Sequence, residues 1–269
     1  MKIAGFRLGG RESWGLVEDD AVLDLTHTPG LPYADASEAL AAETVMDLAM
    51  AACGRKPDHR LSDVTLLAPL SRPRRLLWIA PATREPSNLM GALAASGHEV
   101  AESGTPLAAS AGFAVVIGSP TRRIAVERAS EHILGYSCFT RVTTGADDER
   151  AVARVFGPWV VTRDDLPRLT GQALVVTVNG EVTDRTDLGR IADPIAQTIA
   201  SVSHDAAWGP GDVLVFGTAG SRRLRPGDVH TVRVPGVGEL VSRVTAAGVA
   251  APGVAGPFHV RCAMKGTAR

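Results

Sequence analysis

Two segments in the last third of the chain, GPGDVLVFGT at 209–218 and RPGDVHTVRV at 225–234, repeat one pattern: a Pro-Gly-Asp turn that opens a β-branched run. Proline presets φ, and glycine takes the left-handed step, so each turn launches a new strand. Residues 236–244 add a further stretch of the same kind. At Asn179-Gly180 a two-residue turn joins 173–178 to 181–183, a strong hairpin signal. The second part of the chain therefore reads as β-rich with a few helices.

The first part reads as a smaller unit. Residues 2–8, 13–17 and 21–25 alternate around Gly9-Gly10 and the acidic turn Glu18-Asp19-Asp20, which predicts a small antiparallel β unit. Ala39, Leu40, Val45, Leu48 and Ala49 recur at helical spacing, predicting one amphipathic helix over 35–52, with Gly54 and Pro57 as its stop. Residues 55–75 carry Pro57, Pro69 and Pro73 among several arginines and read as a connector, with the boundary near Pro69. Beyond it, strands are predicted at 76–80, 112–117, 136–144 and 159–162, and helices at 87–96, 126–134 and 193–203. The expected organisation is a small N-terminal domain over 1–68, a larger one over 69–245, and a flexible tail over 246–269.

Composition excludes several classes. Lysine and arginine total 28 against 29 acids, a net charge of −1, whereas neutralising phosphates takes a concentrated basic surplus. Arg72, Arg74 and Arg75 are the nearest thing to a cluster, and they read as a solvated linker; no nucleic acid is expected. No apolar run spans a bilayer and the N-terminus lacks the parts of a secretory signal, so a cytoplasmic protein is expected, with no membrane partner. Cys53, Cys138 and Cys262 are widely spaced, without C-x-x-C, and read as small buried thiols. No serine lies in a G-x-S-x-G elbow and no histidine lies near a plausible nucleophile in sequence: His27, His59, His98 and His259 fall in loops or the tail, and His132 and His204 read as structural.

The order of segments resembles the fumarylacetoacetate hydrolase family. The likeness rests on KIAGFRLGGRESWGLVEDDAVLDL, the prolyl connector before LLWIA, FAVVIGSP, ILGYS, FGPWVVTRDDLP, TVNGEV, PGDVLVFGTAGS and RPGDVHTVRVPGVGEL. It implies an α+β fold: a mixed β-roll C-terminal domain, a small N-terminal β/α domain, and a homodimer. Such enzymes hold Mg²⁺ or Mn²⁺ on carboxylates and act on small 1,3-dicarbonyl or 2-oxo acids through an enolate.

Those carboxylates are absent here. The family's E-x-E positions hold Ser110 and Gly112, and its third acid is Arg141. The lid motif N-Y-R-D-H-x-x-E matches ATREPSNL, which keeps Arg84 and Glu85 but has Pro86 and Leu89 in place of the His and Glu. A family lysine falls nearest Asp147 or Asp148. No metal and no other cofactor is expected.

Two functions follow as expectations. In the first, a metal-independent enzyme uses Arg141 to orient a carboxylate or enolate and Glu85 or Asp148 to move protons. Arg84, Ser110, Thr140, Gly217 and Thr218 contact the substrate, and the reaction is decarboxylation, tautomerisation, cyclisation or C–C cleavage. In the second, the site is silent and the protein is a small-molecule binding or partner subunit. Each residue has a plainer role: Arg141 pairing with Asp147 or Asp148, Glu85 an exposed loop acid beside Arg84, and 217–220 a turn. An open cavity lined by Arg84, Arg141 and Thr218 favours the enzyme; one filled by Phe113, Phe139 and Arg141 favours the silent protein.

Overall fold

The computed structural model describes residues 1–89, 91–102, 104–144 and 151–246. Asp147, Asp148 and the expected tail from 247 onward lie outside them. In chain order the elements are β1 (Lys2–Leu8), β2 (Arg11–Glu18), β3 (Ala21–Asp24), α1 (Ala36–Ala42), α2 (Val45–Ala52), β4 (His59–Arg60), β5 (Thr65–Leu67), β6 (Leu76–Ile79), β7 (Pro86–Asn88) and β8 (His98–Ala101). There follow β9 (Leu107–Ile117), β10 (Ile133–Thr144), β11 (Ala151–Thr162), β12 (Ala173–Val178), β13 (Glu181–Asp187), α3 (Ala192–Asp205), β14 (Val213–Leu224), β15 (Val229–Val234) and β16 (Gly238–Thr245).

The strands form two sheets. The larger runs β4-β3-β2-β1-β11-β10-β9-β14-β6-β7, with β5 also on β1; the smaller runs β13-β12-β15-β16-β8. Residues 1–68 join the large sheet through β1 and β11, with Lys2 opposite Val161 and Ile3 opposite Val160.

Alternation along the central strands gives the large sheet two buried faces. One packs on the small sheet and on α3, and carries Phe113 stacked on Tyr136 with ring centres 5.2 Å apart. The opposite face carries Phe139 and Phe156 at 6.0 Å, with Trp78 6.4 Å from Phe139, and packs against Leu40 of α1 and Leu48 of α2.

Several expected elements differ, each for a local reason. The helix over 35–52 is two helices, because Thr44 and Asp47 build a capping box in its middle: Asp47 N–H donates to Thr44 Oγ1 at 3.3 Å and Thr44 N–H donates to Asp47 Oδ2 at 2.8 Å. The helix over 87–96 is absent. Its backbone groups bond outward instead, Leu89 N–H to Leu76 O and Ala94 N–H to Arg154 O, while Gly91 at φ +118° holds a left-handed step. The helix over 126–134 is a 3₁₀ turn over Val126–His132, after which Ile133 pairs with Ile117 in the sheet. His59 and His98 lie on strands rather than in loops.

The arginine connector is also more than a solvated linker. Asp212, buried in the first Pro-Gly-Asp turn, accepts from Arg74 Nη2 and from Arg75 N–H, each at 3.0 Å, and the Arg75 guanidinium lies 5.4 Å from the Trp208 ring centre. Among the described residues no helix is long and apolar enough to cross a membrane.

His230, which the sequence did not single out, is fully buried on β15 opposite Ser242, and neither of its ring nitrogens has a hydrogen-bond partner. Burial disfavours the imidazolium and pushes its pKa down to about 4. The unfolded chain therefore binds a proton near pH 6.5 that the folded chain refuses. The stability from neutral His230 is complete above pH 6.5 and falls as pH drops toward 4. Denaturant unfolding should lose about 2 kcal/mol between pH 6.5 and 5, and His230→Leu should flatten that slope. An equal slope in the variant would assign the acid sensitivity elsewhere.

Candidate functional site

The site is built where four central strands lie in register. Arg141 of β10 is directly opposite Ser110 of β9 on one side and Arg154 of β11 on the other; Ser110 in turn faces Ser221 of β14. The neighbouring row of the same face reads Gly217, Gly112, Phe139 and Phe156. Opposed residues of an antiparallel pair share a face. Polar and cationic groups thus form one row, and two glycines and two phenyl rings form the next.

Trp78 of β6 occupies the space that the glycines leave open. A Cβ at Gly217 would come within 2.4 Å of its Cζ2 atom, and a Cβ at Gly112 within 3.1 Å of its Cζ3 and 2.5 Å of Val215 Cγ1. The indole is buried, and the Arg141 guanidinium lies over it, 4.6 Å from the ring centre. Such a contact strengthens when desolvated, and Arg141 is half-buried. Gly112, one of the missing acid positions, thus has a packing role: it is the bed for the indole that seats Arg141.

The other expected residues scatter around this row. Thr140 is fully buried but belongs to the opposite face with Cys138, so the sheet separates its side chain from that of Arg141. Its Oγ1 has no hydrogen-bond partner. Thr218 lies in the irregularity between Gly217 and Ser221, buried, and its Oγ1 also lacks a partner. Asp184 of β13 borders the same bulge, with a buried and unbonded Oδ2 3.3 Å from a Cβ built on Gly220. Arg84 and Glu85 are exposed in the loop between β6 and β7, where Arg84 adopts φ +59° and Ala80 N–H donates to Glu85 O at 3.2 Å. Among the described residues neither Arg84 nor Glu85 forms an ion pair. Phe113 faces the small sheet and does not fill this space; Phe139 and Trp78 do.

The profile of the Fumarylacetoacetate (FAA) hydrolase C-terminal family matches residues 92–245. The chain belongs to the fumarylacetoacetate hydrolase family. It is 25% identical over 292 residues to a maleylpyruvate hydrolase of Aquipseudomonas alcaligenes, covering 89% of this chain and 98% of that one. Among solved structures, maleylpyruvate hydrolase from Sphingobium sp. SYK-6 superposes with a TM-score of 0.79 at 20% identity over 91% of this chain and 100% of its own. Fumarylacetoacetate hydrolase from Exiguobacterium antarcticum does so with 0.73 at 25% identity over 91% and 99%. These neighbours share the fold described above.

A family dication would need oxygen ligands of negative charge. The three corresponding positions offer a hydroxyl, a bare backbone under an indole, and a guanidinium, which is a fixed cation without an acceptor. These residues do not fit the ion. Among the described residues no three His, Cys, Asp or Glu side chains gather to hold a metal.

Two participants escaped the sequence reading. Trp78 lies 34 positions before Gly112 and meets it only through the sheet order. Arg154 stands two residues before Phe156 on β11, and that spacing alone places it on the phenyl face. Cys138, by contrast, is the buried thiol expected: its Sγ donates to Gly238 O at 3.7 Å, and burial pushes its pKa up to about 12, so it carries no thiolate chemistry; Cys53, expected buried like it, is exposed because it caps the C-terminal end of α2.

The glycine bed can be tested by a double-mutant cycle. Gly217→Ala should cost about 1–3 kcal/mol in denaturant unfolding, as overpacking does. In a Trp78→Phe background, whose shorter ring leaves the Cζ2 position empty, the same change should cost clearly less. Strictly additive losses would mean that the indole does not rest on Gly217.

Proposed function

We propose that the chain is an enzyme of the fumarylacetoacetate hydrolase fold that works without a dication, using Arg141 to hold the carboxylate or enolate of a small 2-oxo or 1,3-dicarbonyl acid. The observation that carries this reading is the guanidinium over Trp78, beside Ser110, at a position where the family resemblance puts an acidic metal ligand. The similar proteins support the substrate class: one is a maleylpyruvate hydrolase, and a second crystal structure from Sphingobium sp. SYK-6 holds a manganese (II) ion and pyruvate.

The cation also limits the reaction. A guanidinium donates in a planar fork and stays protonated, so it can orient an acid and stabilise a developing oxyanion. It cannot turn bound water into hydroxide as a metal does. Decarboxylation, tautomerisation or a guided cyclisation of a reactive dicarbonyl needs only such positioning and a proton carrier, and suits the site better than hydrolysis. Glu85, exposed in its loop, is the carrier we propose among the described residues, with Asp148 outside them. Thr218, with its buried hydroxyl unbonded, is the neutral donor.

A second reading, a catalytically silent ligand-binding subunit, is favoured by one observation: Trp78 covers Gly112 and Gly217, where a side chain or ligand would otherwise sit. Assays of oxaloacetate and an acylpyruvate with and without EDTA, beside elemental analysis, separate the two. The enzyme reading expects EDTA-insensitive turnover, and a loss of about 10²–10³ in kcat/KM for Arg141→Ala with little change in Tm. Stoichiometric Mg²⁺ or Mn²⁺, or EDTA-sensitive turnover, would overturn metal independence. Binding without turnover would support the silent subunit.

A further inference from the structure

We propose that Asp212, in the first Pro-Gly-Asp turn, is a positioning residue for the site: its buried carboxylate fixes the register of β6 on β14 and so holds Trp78 between Gly217 and Arg141. The inference concerns how the indole is placed and holds whichever reaction the site performs.

The duplicated turn supplies its own contrast. In the second copy Asp228 closes its turn, with Oδ2 accepting from Arg225 N–H at 2.8 Å, and Oδ1 accepts from the Asn179 side-chain amide at 2.8 Å in the neighbouring hairpin. Asp212 closes the first turn in the same way, with Oδ2 accepting from Gly209 N–H at 2.8 Å. It differs in what it does besides. Its side chain is buried, and its remaining acceptor capacity goes to the connector before β6: Oδ2 accepts from Arg74 Nη2 and Oδ1 from Arg75 N–H, each at 3.0 Å. A carboxylate withdrawn from water needs donors of this kind, and the pair with Arg74 is charge-assisted. Gly209 leaves room for it, since a Cβ there would stand 3.1 Å from Arg74 Nη2.

These bonds fall on the first rung of a ladder. Arg75 immediately precedes Leu76, Asp212 immediately precedes Val213, and Leu76 and Val213 are opposed; Val213 N–H donates to Arg75 O at 2.9 Å. On its other side Asp212 O accepts from Ile117 N–H at 2.8 Å, which ties the same residue to the end of β9. The strand β6 depends on such a stop. It is a short apolar run, LLWI, paired in parallel with β14, and its other neighbour, β7, has only three residues, all exposed. Four apolar side chains in a row distinguish one register poorly from the next, and a slip of one residue turns each of them to the opposite face. With Leu76 held opposite Val213, Trp78 falls opposite Val215 and its ring reaches Gly217 and the Arg141 guanidinium. After a slip it would reach neither.

The test is ¹⁹F NMR of the full chain labelled with 5-fluorotryptophan. The chain has four tryptophans, and Trp78→Phe identifies the resonance of interest. Asp212→Asn removes the charge facing Arg74 and turns an acceptor into a donor. It should shift or split the Trp78 resonance while Trp14 and Trp159 stay in place; Trp208, beside the connector, is left out of the comparison. Asp228→Asn, the same change in the other turn, should leave Trp78 unmoved. Arg74→Met alters an exposed side chain and therefore serves even where Asp212→Asn fails to fold. It should displace Trp78 in the same manner, and Arg74→Lys should restore most of the wild-type position.

An unmoved Trp78 resonance in the folded variants of Asp212 and Arg74 would overturn the proposal. So would equal displacement of Trp14 and Trp159, which would make Asp212 a general support of the fold, or equal displacement of Trp78 by Asp228→Asn. None of these readouts involves turnover or a ligand, so their failure leaves the reading of Arg141 untouched.

Discussion

The indole of Trp78, lying on two registered glycines and carrying the guanidinium of Arg141, is the contact on which the arrangement of this site depends. It ties four strands, β6, β9, β10 and β14, drawn from distant parts of the chain. A side chain at Gly217 would collide with the indole at 2.4 Å, and one at Gly112 with both the indole and Val215. A side chain at 112 would therefore compete for volume with Val215 and with the indole in their present places, and would overpack a close-fitted interior.

The electrostatic character of the site follows from that solution. A dication brings two charges and open coordination positions, whereas a guanidinium brings one charge spread over a rigid plane. Seated on an aromatic face and half-buried, Arg141 is screened less by water than a surface arginine, so its pull on an oxyanion is stronger than exposed charges exert.

Much of the fold was legible because the signals that specify it are local. The Pro-Gly-Asp turns before Val213 and Val229, and Asn179-Gly180 between β12 and β13, mark strand starts and a hairpin by their backbone requirements alone. The helix expected over 87–96 failed for the opposite reason: the backbone there bonds to Leu76 and Arg154, partners that no window of sequence contains. The site divides in the same way. Ser110, Gly112 and Arg141 could be matched to a family pattern one position at a time, but Trp78 and Arg154 join them only through strand order and register. His230 stayed hidden because nothing in HTVRV distinguishes a histidine facing the core from one facing water until the partner sheet is in place.

Thr140 and Arg141 are consecutive in the chain, yet alternation sends them to opposite faces of the large sheet. On the side toward the small sheet, Thr140 Oγ1, His230 and Ser242 Oγ are buried polar groups without hydrogen-bond partners, and the pKa of His230 shows how strongly that space rejects a charge. On the other side, the same sheet keeps two guanidiniums charged, one against an aromatic face and both within reach of half-open surroundings. The sheet does more than position Arg141: by alternation it separates the row running from Ser110 to Arg154 from the buried neutral groups of the other face.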